Sequence, residues 1–118
     1  MHDETFMEMC LEEAVKAYND EEVPVGALIV SDSRCILSKS HNLTIDKNSP
    51  SAHAEILVIE DAAKAIGNYR LLNCTLYVTM EPCIMCAGCI IEARIKRLVF
   101  GCFDQRRGAF GSVIDVNK

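Results

Sequence analysis

The spacing of apolar residues along the chain predicts helices and strands in alternation. Residues 4–20 carry apolar side chains at helical spacing with acidic residues between them, which indicates an amphipathic helix. A second helix is predicted from residue 51 or 52 to Ile66, because Gly67 is a typical C-terminal stop. The buried face of the first helix is predicted to consist of Met7, Leu11, Ala14, Val15 and Tyr18.

Short apolar segments between the helices predict strands. "VPVGALIVSD" is typical of a strand buried on both faces, and "CILSKSH" is predicted to pair with it as a hairpin across "SDSR". "TLYVTM" and "RLVFGC" predict two more strands. Between these two, Pro82 is predicted to occupy the first turn of a third helix, the position that proline tolerates best.

This order of elements predicts an α/β fold in which helices cover both faces of a mixed sheet. The chain has 118 residues, 50% of them hydrophobic, so residues 1–118 are predicted to form a single domain with one core. Helices that follow strands begin at one edge of such a sheet, where functional sites usually form.

Composition and charge bear on compartment and partners. The longest apolar runs, "GALIV" and "EILVI", are too short to span a membrane, and the acidic N-terminus lacks an apolar signal core. Seven cysteines, an odd number, argue for a reducing compartment, and we expect a cytoplasmic protein. The net charge is −5, but residues 1–22 carry −7 and residues 94–107 carry +4. Charge alone therefore does not decide whether the chain binds nucleic acid.

The stretch "EPCIMCAGC" contains three cysteines at intervals of three residues. An iron–sulfur run would continue with a fourth cysteine followed by proline, but Ala93 stands at that position. A structural zinc site of four cysteines would need a second C-x-x-C pair, which the sequence lacks. A catalytic zinc, with three protein ligands and one open position, fits better.

Cys83 and Cys86 are the favoured ligands within this stretch. They lie at a predicted helix N-terminus, whose dipole favours thiolates, and their spacing puts both sulfurs on one face. Cys89 lies a full turn deeper and is predicted to belong to the core.

The third ligand has to come from elsewhere, and the chain contains three histidines, His2, His41 and His53. His53 stands in "SAHAEI", at a predicted helix start, two residues before Glu55. A glutamate entering an apolar helix face is unusual, because glutamate is almost never buried without a partner. A lone histidine at a helix start is seldom a metal ligand, so this position alone leaves the third ligand open.

Together, "HAE" from residue 53 and "PCIMC" from residue 82 match H-x-E…P-C-x-x-C, the signature of zinc-dependent nucleobase deaminases. Longer phrases, among them "EVPVGALIV", "NYRLLNCTLYVTMEPCIMCAG", "RIKRLVFG" and "GAFGS", resemble the bacterial tRNA-specific adenosine deaminase family. The likeness extends over about residues 6–116. The signature is shared by cytidine, cytosine, guanine and tRNA deaminases, and the longer phrases favour the tRNA branch.

The resemblance implies a cytidine deaminase-like three-layer α/β/α sandwich and a homodimer. It implies that His53, Cys83 and Cys86 hold one Zn²⁺ per chain and that Glu55 transfers protons. The implied reaction is the conversion of the wobble adenosine of a tRNA anticodon stem-loop to inosine. The resemblance also implies that the family's final strand and C-terminal helix are missing after Lys118.

Substrate contacts are implied by the same resemblance. Family members contact the base at the positions of Asn42 and the backbone N–H of Ala54, and Asp104 matches a loop near the nucleotide sugar. Arg106 and Arg107 follow in that loop and are candidates for phosphate contacts.

Two other functions stay open at this point. One is deamination of a free base or nucleoside such as guanine or cytosine, which the acidic mean charge and the short C-terminus make plausible. The other is a non-catalytic, zinc-containing tRNA-binding subunit. Glu55 argues against the second, because a purely structural subunit does not need an acid at that position.

Overall fold

Residues 2–118, which the computed structural model describes, form a four-stranded sheet with helices on both faces. The elements in chain order are α1 Asp3–Asn19, β1 Gly26–Val30, β2 Ile36–His41, α2 Ala54–Ile66, β3 Thr75–Met80, α3 Ile84–Glu92 and β4 Arg97–Cys102.

The sheet is mixed, as the sequence predicts. Its strand order is β2-β1-β3-β4, with β1 antiparallel to both of its neighbours and β3 parallel to β4. The predicted hairpin is confirmed, since Gly26 pairs with His41 and the strands meet across the turn at residues 31–35. All five residues of β1 are buried, which confirms the prediction of a strand covered on both faces.

Alternate residues of the central strands divide the core into two layers. Ala27 and Ile29 face a cluster that includes Val58 of α2 and Ile90 of α3. Residues of the opposite face form a second cluster beneath α1, with Phe6, Cys10, Leu28, Val30 and Tyr77. Helices therefore cover both faces, and the three-layer arrangement that the resemblance implies is confirmed.

The buried face of α1 agrees only in part with the sequence prediction. Ala14 is buried and Met7 packs partly buried against the core, as predicted, but Leu11, Val15 and Tyr18 are 52%, 57% and 70% exposed. The other buried apolar side chains of α1 are Phe6, Cys10 and Ala17.

Close approach of α1 to β1 explains this rotation of the helix. A Cβ added to Gly26 would lie 2.0 Å from the carbonyl oxygen of Cys10 and 2.7 Å from the backbone nitrogen of Ala14. The two backbones thus touch, and only small side chains fit beside the contact. Next to the contact, the buried positions of α1 are therefore Cys10, Ala14 and Ala17, whereas the larger Phe6 lies about one turn before it and packs against Tyr77.

Two helices begin later than predicted, and in each case the residue before the helix is a candidate metal ligand. His53 is the N-cap of α2 and Cys83 is the N-cap of α3. Pro82 therefore precedes the N-cap instead of occupying the first turn. Neither N-cap side chain makes a capping hydrogen bond, so both are available for other contacts.

Several other boundaries agree with the prediction. Gly67 ends α2 with a left-handed backbone, φ 71°, which glycine adopts without the steric cost of a side chain. The segments "TLYVTM" and "RLVFGC" coincide with β3 and β4.

All seven cysteines are free, and four of them are buried. Cys35 and Cys102 are exposed. Among residues 2–118, no helix combines the length and the apolar character needed to cross a membrane.

Replacing Gly26 with alanine tests the contact between α1 and β1. The added methyl group would overlap the backbone of α1, so we expect a loss of about 3 kcal/mol in the free energy of unfolding. Gly88, in α3, is the matched control because a Cβ there meets nothing within 4 Å. Gly88→Ala is expected to stabilise the protein by about 0.5–1 kcal/mol. Urea unfolding measures both, and a Gly26→Ala protein of unchanged stability would contradict the contact.

Candidate metal centre and pocket

Three candidate ligands meet where α2 and α3 begin. The Nδ1 atom of His53 lies 3.4 Å from the sulfur of Cys86 and 3.7 Å from that of Cys83. All three ligand atoms lie within 4.8 Å of one another, and both cysteines are buried. Cys89 is half-buried and packs against the core cluster of α2 and α3, as expected of a residue that is not part of this group.

The spacing of these atoms fits a tetrahedral zinc site. Zn–S bonds of about 2.3 Å and Zn–N bonds of about 2.0 Å at a tetrahedral angle separate nitrogen from sulfur by about 3.5 Å. The two observed separations, 3.4 and 3.7 Å, lie on either side of this value. Two sulfurs and one imidazole are also the donor set of zinc sites that keep a fourth position for water or substrate.

The helix start prepares one of the sulfurs for metal binding. A hydrogen bond from the Cys86 thiol lowers the pKa of Cys83 to about 4, and backbone N–H groups of the first turn of α3 act in the same direction. The same hydrogen bond raises the pKa of Cys86, because the Cys86 thiol donates its proton in that bond, and burial adds to the effect. The surroundings at this helix start therefore favour the thiolate form of Cys83, which is the form that binds zinc.

Glu55 lies in the first turn of α2, and its side chain is only 4% exposed. Burial raises the pKa of Glu55 to about 7, and the negative charge of Cys83 adds to the effect. A carboxyl group with such a pKa can both accept and donate a proton at neutral pH. Glu55 lines the same pocket as His53 and Cys83 but does not belong to the group of three candidate ligand atoms.

A pocket of about 220 Å³ opens beside these residues. It collects most of the site residues predicted from the sequence, although they come from distant parts of the chain. Those that line it are Asn42, His53, Glu55, Cys83, Asp104 and Arg107. Arg106 is exposed on the same turn as Arg107.

Asn42 and Ala54 are bound to each other in the pocket wall. The side-chain oxygen of Asn42 accepts a hydrogen bond of 2.7 Å from the backbone N–H of Ala54. Asn42 is 6% exposed, and its amide NH₂ group is left to donate toward the pocket. The Ala54 N–H, which the sequence suggests as a substrate contact, therefore already has a partner inside the protein.

Asp104 shapes the turn that carries the two arginines. Its Oδ1 atom accepts hydrogen bonds from the backbone N–H groups of Arg106 and Arg107, at 3.0 and 3.2 Å. This arrangement, an Asx-type turn, orients the side chain of Arg107 toward the pocket mouth without using its guanidinium.

Two buried glutamates near the pocket are not among the site residues predicted from the sequence. Glu22 is 5% exposed and accepts hydrogen bonds from the N–H groups of Ile45 and Asp46 and from the hydroxyl of Thr44, which lines the pocket. Glu81 is 2% exposed and lines the pocket itself. The signal that singled out Glu55, an acid beside an apolar element, also marks Glu81 at the end of β3.

Comparison with protein families identifies the domain type. A family model described as the cytidine and deoxycytidylate deaminase zinc-binding region matches residues 1–102. The match contains all three candidate ligands and Glu55, so the group of His53, Cys83 and Cys86 lies within a domain of a zinc-binding family.

Curated relatives of this chain include two bacterial proteins named tRNA-specific adenosine deaminase. The protein from Haemophilus influenzae is 56% identical over 110 residues, which are 93% of this chain and 64% of that protein. The protein from Bacillus subtilis is 44% identical over 114 residues, which are 97% of this chain and 70% of that protein. This chain thus spans slightly less than two thirds of the Haemophilus relative.

Solved structures agree with the sequence relatives in fold. A structure from work on A-to-I editing by tRNA:A34 deaminases at the wobble position of transfer RNA is 47% identical, with a TM-score of 0.89. It matches 92% of this chain and 78% of its own. Guanine deaminase from Bacillus subtilis is 30% identical with a TM-score of 0.83, and the match covers 100% of this chain and 85% of that one.

Paired cysteine substitutions test the metal site. We expect Cys86→Ser to lose bound zinc, because it removes a buried sulfur 3.4 Å from His53 Nδ1. Cys89→Ser, in the same helix, should retain zinc at the level of the parent protein and serves as the control. Zinc per chain, measured by mass spectrometry or atomic absorption after dialysis, reports the result. Retention of zinc by Cys86→Ser would mean that another residue completes the site.

Proposed function

This chain belongs to the tRNA-specific adenosine deaminase family of zinc-binding deaminases, and we propose that it converts the wobble adenosine of a tRNA anticodon to inosine. The observation that carries the proposal is the pocket in which Glu55 stands beside His53 and Cys83. The two relatives from Haemophilus influenzae and Bacillus subtilis, both named tRNA-specific adenosine deaminase, match 93% and 97% of this chain, which supports the same substrate class here.

His53, Cys83 and Cys86 would hold one Zn²⁺ per chain, a role that their spacing and donor chemistry support. When bound, zinc supplies the Lewis acidity that allows water to attack a carbon atom at neutral pH. The burial of both cysteines keeps the donor atoms away from bulk water and from oxidants.

Glu55 would carry the proton transfers. Its carboxylate takes one proton from the attacking water and delivers it to a ring nitrogen of adenine, and then passes the second proton, from the new hydroxyl on C6, to the amino group on C6. The C6–N bond breaks, ammonia leaves, and the water oxygen becomes the carbonyl oxygen of inosine. The pocket supports this role, because Glu55 reaches it from a buried position next to the candidate ligands.

The remaining pocket residues would bind the nucleotide. The amide NH₂ of Asn42 can donate to an acceptor on the purine edge, while its oxygen stays bound to Ala54. A direct contact from the Ala54 N–H to the base would require that bond to open. Asp104 would meet the sugar, and Arg106 and Arg107 would meet phosphates at the pocket mouth.

Assembly and compartment complete the proposal. We propose that residues 1–118 act as a single domain within a homodimer, with a tRNA anticodon stem-loop as the partner molecule and the cytoplasm as the compartment. The wobble base would have to leave its stack to enter the pocket, as bases do in other deaminases.

The substrate is tested with an anticodon stem-loop RNA that carries adenosine at the wobble position. We expect inosine at that position, detected by mass spectrometry of the digested RNA. An RNA with guanosine at the same position is the control and should stay unmodified. Free guanine and cytosine are tested in parallel, because guanine deaminase from Bacillus subtilis shares the fold across the whole chain. Release of ammonia from a free base with the RNA left intact would refute the tRNA assignment.

Glu55→Ala separates the acid–base role from a structural one. The variant should keep about one zinc per chain, since Glu55 is not among the three grouped ligand atoms. Deamination is expected to fall by a factor of about 10² to 10⁴ or more, the usual contribution of general acid–base catalysis. Parallel loss of zinc and activity would instead make Glu55 part of the metal site.

A further inference from the structure

Glu81 is a buried carboxylate that the proposed reaction does not use. It lies between β3 and α3, and both of its oxygens are occupied by hydrogen-bond donors. Oε1 accepts from the backbone N–H of Asp104 at 3.0 Å and from the hydroxyl of Ser112. Oε2 accepts from the N–H groups of Phe110 at 2.8 Å and of Ser112 at 3.1 Å.

All of these donors belong to one loop, residues 103–112, which we call the mouth loop. The loop is also tied to the backbone next to Glu81, since the Ala109 N–H donates to the Pro82 carbonyl at 2.9 Å. Gly108 sits against the carboxylate so closely that a Cβ there would lie 2.3 Å from it. The mouth loop is therefore folded around the side chain of Glu81.

The mouth loop supplies one wall of the pocket through Asp104 and Arg107. Apart from a single isolated bridge at Phe110, it contains no helix or strand among the described residues to hold its shape. Four hydrogen bonds to one carboxylate at its two ends, residues 104 and 110–112, take the place of regular secondary structure.

An acid–base role for Glu81 is at odds with this geometry. Each of its oxygens already accepts two hydrogen bonds from the mouth loop. Taking a proton from a substrate would require these bonds to break, and the loop would lose its anchor. Glu55, in contrast, is not enclosed by a comparable set of donors.

We propose that Glu81 is a positioning residue, whose carboxylate holds the mouth loop so that Asp104 and Arg107 meet the nucleotide in the pocket. The assignment of those contacts rests on the proposed function, whereas the anchoring of the loop does not. Because Glu81 is two residues from Cys83, the same short segment fixes both the substrate wall and a candidate metal ligand.

Glu81→Gln tests the proposal with a nearly isosteric side chain. It replaces one acceptor oxygen with an NH₂ group that faces N–H donors, so about two of the four hydrogen bonds are lost. We expect the backbone amides of Asp104, Phe110 and Ser112 to exchange with solvent roughly tenfold faster or more, as followed by NMR. Zinc content should stay at the parent level, because the three ligand atoms are unchanged.

Kinetics give the second readout. The KM for the anticodon stem-loop should rise by roughly five- to tenfold in Glu81→Gln, with a smaller change in kcat, as expected when binding contacts are displaced and the reacting groups are not. Ser112→Ala removes only the hydroxyl donor and should shift exchange and KM in the same direction by less. This milder variant decides the question if Glu81→Gln does not fold.

Glu13→Gln is the matched control. Glu13 is similarly buried, 5% exposed, but its carboxylate binds His41 and Lys16 instead of the mouth loop. Exchange in residues 104–112 should be unchanged in this variant, and KM should stay within about twofold, since binding contacts are retained.

Two results would overturn the proposal. One is unchanged amide protection of the mouth loop in both Glu81→Gln and Ser112→Ala. The other is faster exchange accompanied by a loss of kcat alone or by loss of zinc, which would make Glu81 a support of the metal centre. If the parent enzyme forms no inosine in the RNA, the proposed function fails, and amide exchange still decides whether Glu81 anchors the loop.

Discussion

The pocket depends on two helices beginning at the same edge of the sheet. There β1 begins and β2 ends, with Gly26 paired to His41, and β3 ends beside β4. Because α2 and α3 both begin at this edge, His53 and Cys83 occupy N-cap positions in extended backbone, and neither caps its own helix. Their side chains are free to turn toward each other, and the unpaired N–H groups of the first turn of α3 favour a thiolate there. The candidate metal site thus uses two N-cap side chains that, in an ordinary helix, would accept a hydrogen bond from the first turn.

Three buried carboxylates surround the pocket, and their surroundings assign them different tasks. Backbone and hydroxyl donors surround Glu22 and Glu81, and these hydrogen bonds outweigh burial and lower the pKa of both, that of Glu81 to about 2. Such groups stay ionised and hold loops. Burial dominates at Glu55 and raises its pKa to about 7. Such a difference in pKa between carboxyl groups of one site is expected when one of them transfers protons and the others only hold the loops that line the pocket.

Local patterns in the sequence predicted the features that depend on neighbouring residues. Strand alternation, the stop at Gly67 and the signature around His53 and Cys83 all belong to this kind, and the strands and the helix end agree with the structure. The buried face of α1 was predicted only in part, because it is set by contact with Gly26, which follows in the next element. The anchoring of the mouth loop by Glu81 joins residues 23 to 31 positions apart, and spacing within a motif carries no information about it.

The division between helices and loops bears on substrate choice. The starts of α2 and α3 form one half of the pocket and provide the three candidate metal ligands and Glu55, and the chain shares this fold with a guanine deaminase. The other half consists of the loop after β2, held by Glu22, and the mouth loop, held by Glu81. Under the proposed function, the selection of a tRNA base over a free base would depend on these loops. Each anchor fixes the position of a wall without touching the reacting atoms. Changes in loop sequence can therefore alter the substrate while the metal centre stays intact.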